Sequence, residues 1–405
     1  MSILETDTAG PAIQVDDLDA DRLLSLIEDS ETQSRIAERR KLRYAAHWCR
    51  LHPADAPDDE EDAPIGGPGT PPVAVFAAEP LGAALQSSTY AARQLMADAW
   101  NLTHRLPHIW ARVESLDVPA WRARRIAQAT AHLSQEVAAT VDRELAPRAA
   151  TCGAVLIDRA IATATAQADP EAQHSDETVS KDSWEVRIFH RPPTGPGRWA
   201  GTSILEITGD TLDLTRIHDQ LVRSDDLGAA IHDLATGFGN GKPARTRLYL
   251  HADLTDLADD TIGTGSVERL GPLSTARIKD WAGHSHVTVL PVLRMDRTDA
   301  VDRHDPPAWM RELVILRDQH CVFPWCHTDA RSCDLDHVIP YLPMDKGGPP
   351  GQTHPGNLAP LCRRHHRNKT RDIWTYTRNE DGTYTWTSPH HRRYAVTPLG
   401  TYQLG

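Results

Sequence analysis

Residues 333–341 read CDLDHVIPY, with an acid (Asp336) and a histidine (His337) side by side at the head of an apolar run. In a regular strand successive side chains point to opposite faces, so the two would not readily serve one atom. The pair needs other groups close by, and the flanking sequence supplies them. Upstream, RDQHCVFPWCHTD (317–329) places Cys321 and Cys326 with four residues between them. Downstream, GNLAPLCRRHHRNKT (356–370) places Cys362 and His365 with two between them. Thiolate and imidazole bind zinc tetrahedrally, and two short-spaced pairs from separate segments would staple a small domain that lacks a large core of its own. On a helix Cys362 and His365 share one face. The alternative is chance clustering of reduced thiols, and Cys333 is a spare thiol that could compete as a ligand.

The rest of the chain bounds the reading. At 405 residues, 40% hydrophobic and 24% charged, it has the length for two or three domains and an ordinary globular composition. No stretch approaches the roughly 20 apolar residues of a membrane span, and the N-terminus lacks a basic region followed by an apolar one, so the expectation is a cytoplasmic protein with no membrane partner. The net charge of −13 excludes a uniformly basic nucleic-acid coat, and any polyanion must be met by a local patch. Such a patch exists at Arg363, Arg364, Arg367, Lys369 and Arg371, a basic run without an acid, as phosphate contacts require. Of six cysteines, Cys49 and Cys152 stand alone in helical patterns and read as core packing.

The expected fold class is α+β, in three parts. Residues 1–175 read as a mainly helical domain. From Asp19, Leu23, Leu24, Ile27, Ile36, Leu42 and Ala46 recur among charges as one long or broken amphipathic helix ending at Pro53. An acidic, Pro/Gly-rich linker is expected at 53–72. Between about Thr89 and Ala168 roughly four further helices follow, with starts near Asp117 and Ser134. Residues 183–300 carry the strand candidates SWEVRIFH, TSILEIT, RTRLYLH and HVTVLPVL, with LDLTRIHDQLVRS and GPLSTARIKDWAG as helices, giving a mixed α/β layer. Residues 303–405 hold the Cys/His constellation and then a hairpin turning at Asp381-Gly382, with Trp374, Tyr376, Tyr384 and Trp386 alternating.

The stretch DLDHVIPY, then GGP, then GNLAPLCRRHHRNK resembles the HNH endonuclease motif over about residues 317–371. More loosely, the helical N-terminal region, the RLP of HRLPHIW, GPLSTARI and RDQHCVFPWC resemble a large actinobacterial family of HNH proteins with an uncharacterised N-terminal domain. The motif resemblance implies a zinc-stapled ββα-metal module that hydrolyses DNA. It implies His337 as general base, Asp336 and His366 as ligands of a catalytic divalent cation, and Asn357 as the residue that orients His337 and steadies the loop. A backbone that departs from regular strand geometry at Asp336-His337 would let the pair serve one phosphate. Histidine's pKa suits a base near pH 7. An anionic oxygen ligand suits Mg²⁺ or Mn²⁺, and His366 extends the choice to Zn²⁺, Ni²⁺ or Co²⁺. Hydrolysis would leave 5′-phosphate and 3′-hydroxyl ends. This chain departs from the commonest pattern in using His365 where a second cysteine often sits. Two rival functions stay open: a catalytically silent DNA-binding or interaction module, and a toxin or defence nuclease controlled by a protein partner through the helical domain.

Overall fold

The computed structural model describes residues 4–5, 13–54, 64–151, 157–158, 161–163, 184–189, 203–209, 211–237, 249–251, 264–267, 271–283, 297–398 and 400–405. The architecture is mixed α and β, with small antiparallel sheets. The chain forms two compact units, Met1–Pro170 with Arg294–Gly405, and Glu171–Leu293. The three segments read from sequence thus fall into two units, the first and third together.

The helical region opens with α1 (Ala20–Leu51), capped by the Asp19 carboxylate, which accepts from the Arg22 amide. Then come α2 (Ala78–Ala84), α3 (Thr89–His104), α4 (Pro107–Glu114), α5 (Ala120–Ala129) and α6 (Gln135–Leu145). Within the segment for which roughly four helices were expected, α3 to α6 are followed by further described helical residues at 157–158 and 161–163. Ser134 caps α6 as the sequence suggested, whereas the start expected near Asp117 falls at Ala120. Only the C-terminal half of α1 is buried, through Leu42, Ala45, Ala46 and Cys49. Leu23, Leu24 and Ile27 stay exposed, because α3, half as long, packs along that C-terminal half.

The expected linker at 53–72 divides. Residues 55–63 lie outside the described residues, but the part from Pro64 is packed. Ile65 is buried, the Gly67 amide donates to Asn101 Oδ1 at 2.8 Å, and Trp100 Nε1 donates to the Pro71 carbonyl. Glycine is required here because a Cβ on Gly67 would lie 2.0 Å from Arg105 Nη1. Arg105 is fully buried, with no carboxylate partner among the described residues. Its guanidinium is spent on the carbonyls of Thr130, Ala131 and Leu133, which locks the α5–α6 connection.

In the second unit β1 (Glu185–Phe189) pairs antiparallel with β2 (Ile204–Thr208), and α7 (Thr211–Val222) and α8 (Leu227–Gly237) follow. A three-stranded sheet of β3 (Leu250–His251), β4 (Thr264–Val267) and β5 (Gly271–Ser274) precedes α9 (Thr275–Gly283). GPLSTARIKDWAG is therefore a strand and then a helix, while HVTVLPVL and Cys152 lie outside the described residues.

The C-terminal part consists of α10 (Ala308–Asp318), the strands β6 (Asp334–His337) and β7 (Leu358–Leu361), α11 (Arg363–Thr370), and a four-stranded meander. The meander is β8 (Thr375–Arg378), β9 (Tyr384–Thr387), β10 (Arg393–Thr397) and β11 (Gly400–Leu404). The expected hairpin is present as β8–β9, with Tyr376 opposite Trp386 and Gly382 at a φ of 85° in the turn. Sequence reading missed β10 and β11. The alternating aromatics do pack inward: Trp374, Tyr376, Tyr384 and Trp386 are buried, in one cluster with Phe323, Tyr394, Cys321 and Cys333. Ala83 of α2 belongs to the same cluster.

Candidate metal centre and its flanking site

Two sites share α11. The first is a closed cluster. Cys321 and Cys326 lie on the loop after α10, Cys362 immediately precedes α11, and His365 follows one turn later. One donor atom from each of the four lies within 4.8 Å of every other. Among the described residues no other group of three or more His, Cys, Asp or Glu meets that condition. His365 Nδ1 sits 3.1 Å from Cys362 Sγ and 3.5 Å from Cys321 Sγ. Phe323 stacks on the imidazole at 3.8 Å between ring centres. The thiols are electrostatically interdependent: burial and then its sulfur neighbours push Cys321 up, while hydrogen bonds from Cys321 and Cys362 pull Cys326 down. Three sulfurs and one nitrogen at this spacing fit a tetrahedral cation such as zinc. Cys333 stays out of the cluster, its Sγ directed at the Asp329 carbonyl at 3.4 Å, and Cys49 is a core thiol whose pKa burial pushes up to about 12.

The second site lies where β6 meets α11. β6 pairs with β7 in unbroken antiparallel register, Asp336 opposite Ala359 and His337 opposite Leu358. The expected departure from strand geometry at this pair is therefore absent. Normal alternation holds, and Asp336 and His337 look to different neighbours. Asp336, almost fully buried, accepts from Tyr376 Oη at 2.7 Å and from Lys369 Nζ at 3.1 Å, with His366 Nε2 at 3.3 Å. Burial works to raise its carboxyl, but the His366 hydrogen bond, the Lys369 charge and Tyr376 outweigh it and hold the pKa below the usual range. Asp334, two residues back on the same face, takes the other ring nitrogen of His366 at 3.0 Å. The bond to Asp336 raises His366's pKa first, against burial, and Asp334 adds to it.

His337 sits in a different setting. Its Nε2 is 2.8 Å from Thr353 Oγ1, and the Thr353 hydroxyl donates to the His304 carbonyl. A hydroxyl has one proton to give, so Thr353 accepts from Nε2–H and Nδ1 keeps its lone pair. His304 and Tyr341 flank the ring at 5.1 and 5.4 Å between centres. Burial, and then the charge of His304, lowers the His337 pKa to about 4, below the value near 7 expected of the base, so the imidazole is neutral at pH 7 but a weaker proton acceptor than expected. Asn357 does not touch it. Its Oδ1 accepts from the Ile339 amide at 2.8 Å, and its Nδ2 donates to the carbonyls of Gln352 and Ile339. The Asn357 side chain thus closes the base of the 339–352 loop, and its main-chain carbonyl accepts from the Val338 amide beside His337.

The basic run is more committed than its sequence implied. Arg363 is exposed and 3.1 Å from Asp334. Arg364 pairs with the buried Glu79 at 2.6 Å and reaches the Val75 carbonyl, and both Arg364 and Arg371 lie over the Phe76 ring. Lys369 bridges Asp336 and the His337 carbonyl. Arg367 lies in the last turn of α11. Residues that sequence reading did not assign to either site are Asp334, Thr353, Glu79 and Thr89, together with Tyr376, which it read only as a packing aromatic of the hairpin. Only Asp334 carried a local signal, its i, i+2 spacing with Asp336 on one strand.

No family model matches this chain, and no solved structure does. Two uncharacterized proteins of Mycobacterium tuberculosis strain H37Rv are similar over part of it. One is 43% identical over 96 residues, 23% of this chain and 17% of the relative. The other is 40% identical over 102 residues, 24% of this chain and 17% of the relative. The matched stretch is thus about a sixth of each relative's length. Among the described residues no helix is long and apolar enough to cross a membrane.

Proposed function

We propose that the chain is a metal-dependent endonuclease of the HNH type that hydrolyses DNA phosphodiester bonds. One observation carries this reading: two antiparallel strands and a following helix bring Asp336 and His366 to 3.3 Å on one face, while the neutral His337 ends the same strand on the other, so a phosphate would have to bind at the strand's end to meet both. An oxygen and an imidazole nitrogen are donor types that fit Mg²⁺, Mn²⁺ or a borderline cation, water and substrate phosphate completing the shell. A divalent cation held there would neutralise phosphate charge and stabilise the leaving 3′ oxygen. His337 supplies the base. With Nε2 committed to Thr353, Nδ1 is the atom that takes a proton from water. Asn357 fixes the loop that carries Thr353, and Arg363, exposed on α11, is placed to meet a flanking phosphate. The Cys321, Cys326, Cys362 and His365 cluster would hold a structural zinc that fixes the start of α11, and with it His366.

A second reading has one observation behind it. Asp336 is already satisfied by Lys369, Tyr376 and His366, so the carboxylate requires no ion, as suits a silent binding module. Incubating the purified protein with supercoiled plasmid across divalent metals, with EDTA as control, separates the two. The nuclease reading expects metal-dependent nicking or linearisation that His337→Ala lowers by about 10²- to 10⁴-fold. Binding without cleavage under every metal would leave the silent module standing.

A further inference from the structure

The four ligands of the cysteine-histidine cluster come from residues 321–365, yet the atom that completes His365 comes from the other end of the chain. Thr89, the first residue of α3, places Oγ1 3.1 Å from His365 Nε2, a buried contact across 276 residues of sequence. We infer that Thr89 is a positioning residue of the metal centre, holding the His365 ring so that Nδ1 faces the sulfurs, and that the helical region is thereby coupled to metal binding. The inference rests on the reading of the cluster as a metal site.

An imidazole with one nitrogen directed at a cation carries its proton on the other, and that N–H needs a fixed acceptor. His365 is nearly fully buried, so water is a poor substitute, and Thr89 Oγ1 is the partner the structure gives Nε2. Nδ1 meanwhile lies 3.1 Å from Cys362 Sγ, on the metal side. Phe323, stacked within 10° of parallel, restrains tilt of the ring, but a ring face cannot choose between the two nitrogens. The hydroxyl can. Thr89 is itself held by what surrounds it: Ser88 caps α3, Ala83 lies in the aromatic cluster of the module, and Glu79 pairs with Arg364, the residue before His365. The N-terminus of α3 is therefore a structural part of the metal centre.

The test measures Zn²⁺ affinity of the full-length chain by competition with a chromogenic chelator. Thr89→Val and Thr89→Ala, each verified as folded by circular dichroism, remove the hydroxyl and should weaken zinc binding by about 10- to 100-fold. Thr89→Ser should restore it. In a His365→Cys background, where no Nε2 exists, Thr89→Val should change nothing further. Unchanged affinity in both hydroxyl-free variants, or an equal loss in the His365→Cys background, would overturn the assignment and leave Thr89 as packing only. Wild-type protein that retains no zinc after dialysis would remove the metal centre itself, and the role of Thr89 with it.

Discussion

Single residues here are defined by partners remote in sequence. The Cys/His cluster was legible because short spacing makes thiols and imidazole converge within one or two turns. Thr353 and Thr89 were not, since a threonine in a loop or at a helix start has no periodicity that marks what its hydroxyl will meet. Thr353 has a testable consequence. Replacing it with valine removes the acceptor of His337 Nε2–H without changing size, so the ring is free to turn and its tautomer to switch. Plasmid cleavage by Thr353→Val should fall about 10- to 100-fold, as when an orienting partner is lost, while zinc content stays the same. Full activity would show that the loop backbone alone holds the base. Glu79 gives a second prediction. Its carboxylate is buried against Arg364, so Glu79→Gln leaves a partly buried guanidinium short of a charge. Since Arg364 retains some solvent contact, the loss should sit near the lower end for a broken buried pair, about 3 kcal/mol, measured by urea unfolding.

At the level of elements, alternation and caps predicted α1, α6, β1, β2 and the β8–β9 hairpin, because each is set by local pattern. The packed stretch from Pro64 escaped for the opposite reason. Its Pro/Gly composition denotes a loop that buries little, yet the absence of Cβ atoms is what lets it lie against Arg105. Gly67→Ala should therefore destabilise the helical region by about 1–3 kcal/mol through overpacking, seen as a lower thermal midpoint, since the added methyl meets the Ala131 carbonyl as well as the guanidinium. The unbroken β6–β7 ladder was missed too. The resemblance suggested distortion at Asp336-His337, but α11 already brings His366 to the Asp336 face, so the strand needs no bend to assemble that side. The cluster at the start of α11 should behave as a staple. Stripping metal with a strong chelator, or Cys321→Ser, should lower the midpoint of the C-terminal part and remove the bound zinc together.

Across the whole molecule, the division into units was the least legible feature, because a contact between residue 79 and residue 364 leaves no trace in periodicity or composition. The consequence is large: Ala83 lies in the core of the C-terminal module, Thr89 touches His365 of the Cys/His cluster, Glu79 neutralises an arginine of α11, and Trp48 meets His390 edge-on. The same contacts redistribute the basic run. In a chain of net charge −13, Arg364 is occupied by Glu79 whereas Arg363 stands largely in solvent beside Asp334. The two arginines should then part company in DNA binding. If the proposed DNA reading holds, Arg363→Ala would remove one phosphate contact and should reduce the slope of log K against log salt on duplex DNA by roughly 0.9. Arg364→Ala should leave that slope at the wild-type value and instead lower stability, because its loss strands a buried carboxylate. The opposite pattern, with Arg364 changing the slope and Arg363 silent, would mean that the helical region releases α11 when DNA binds.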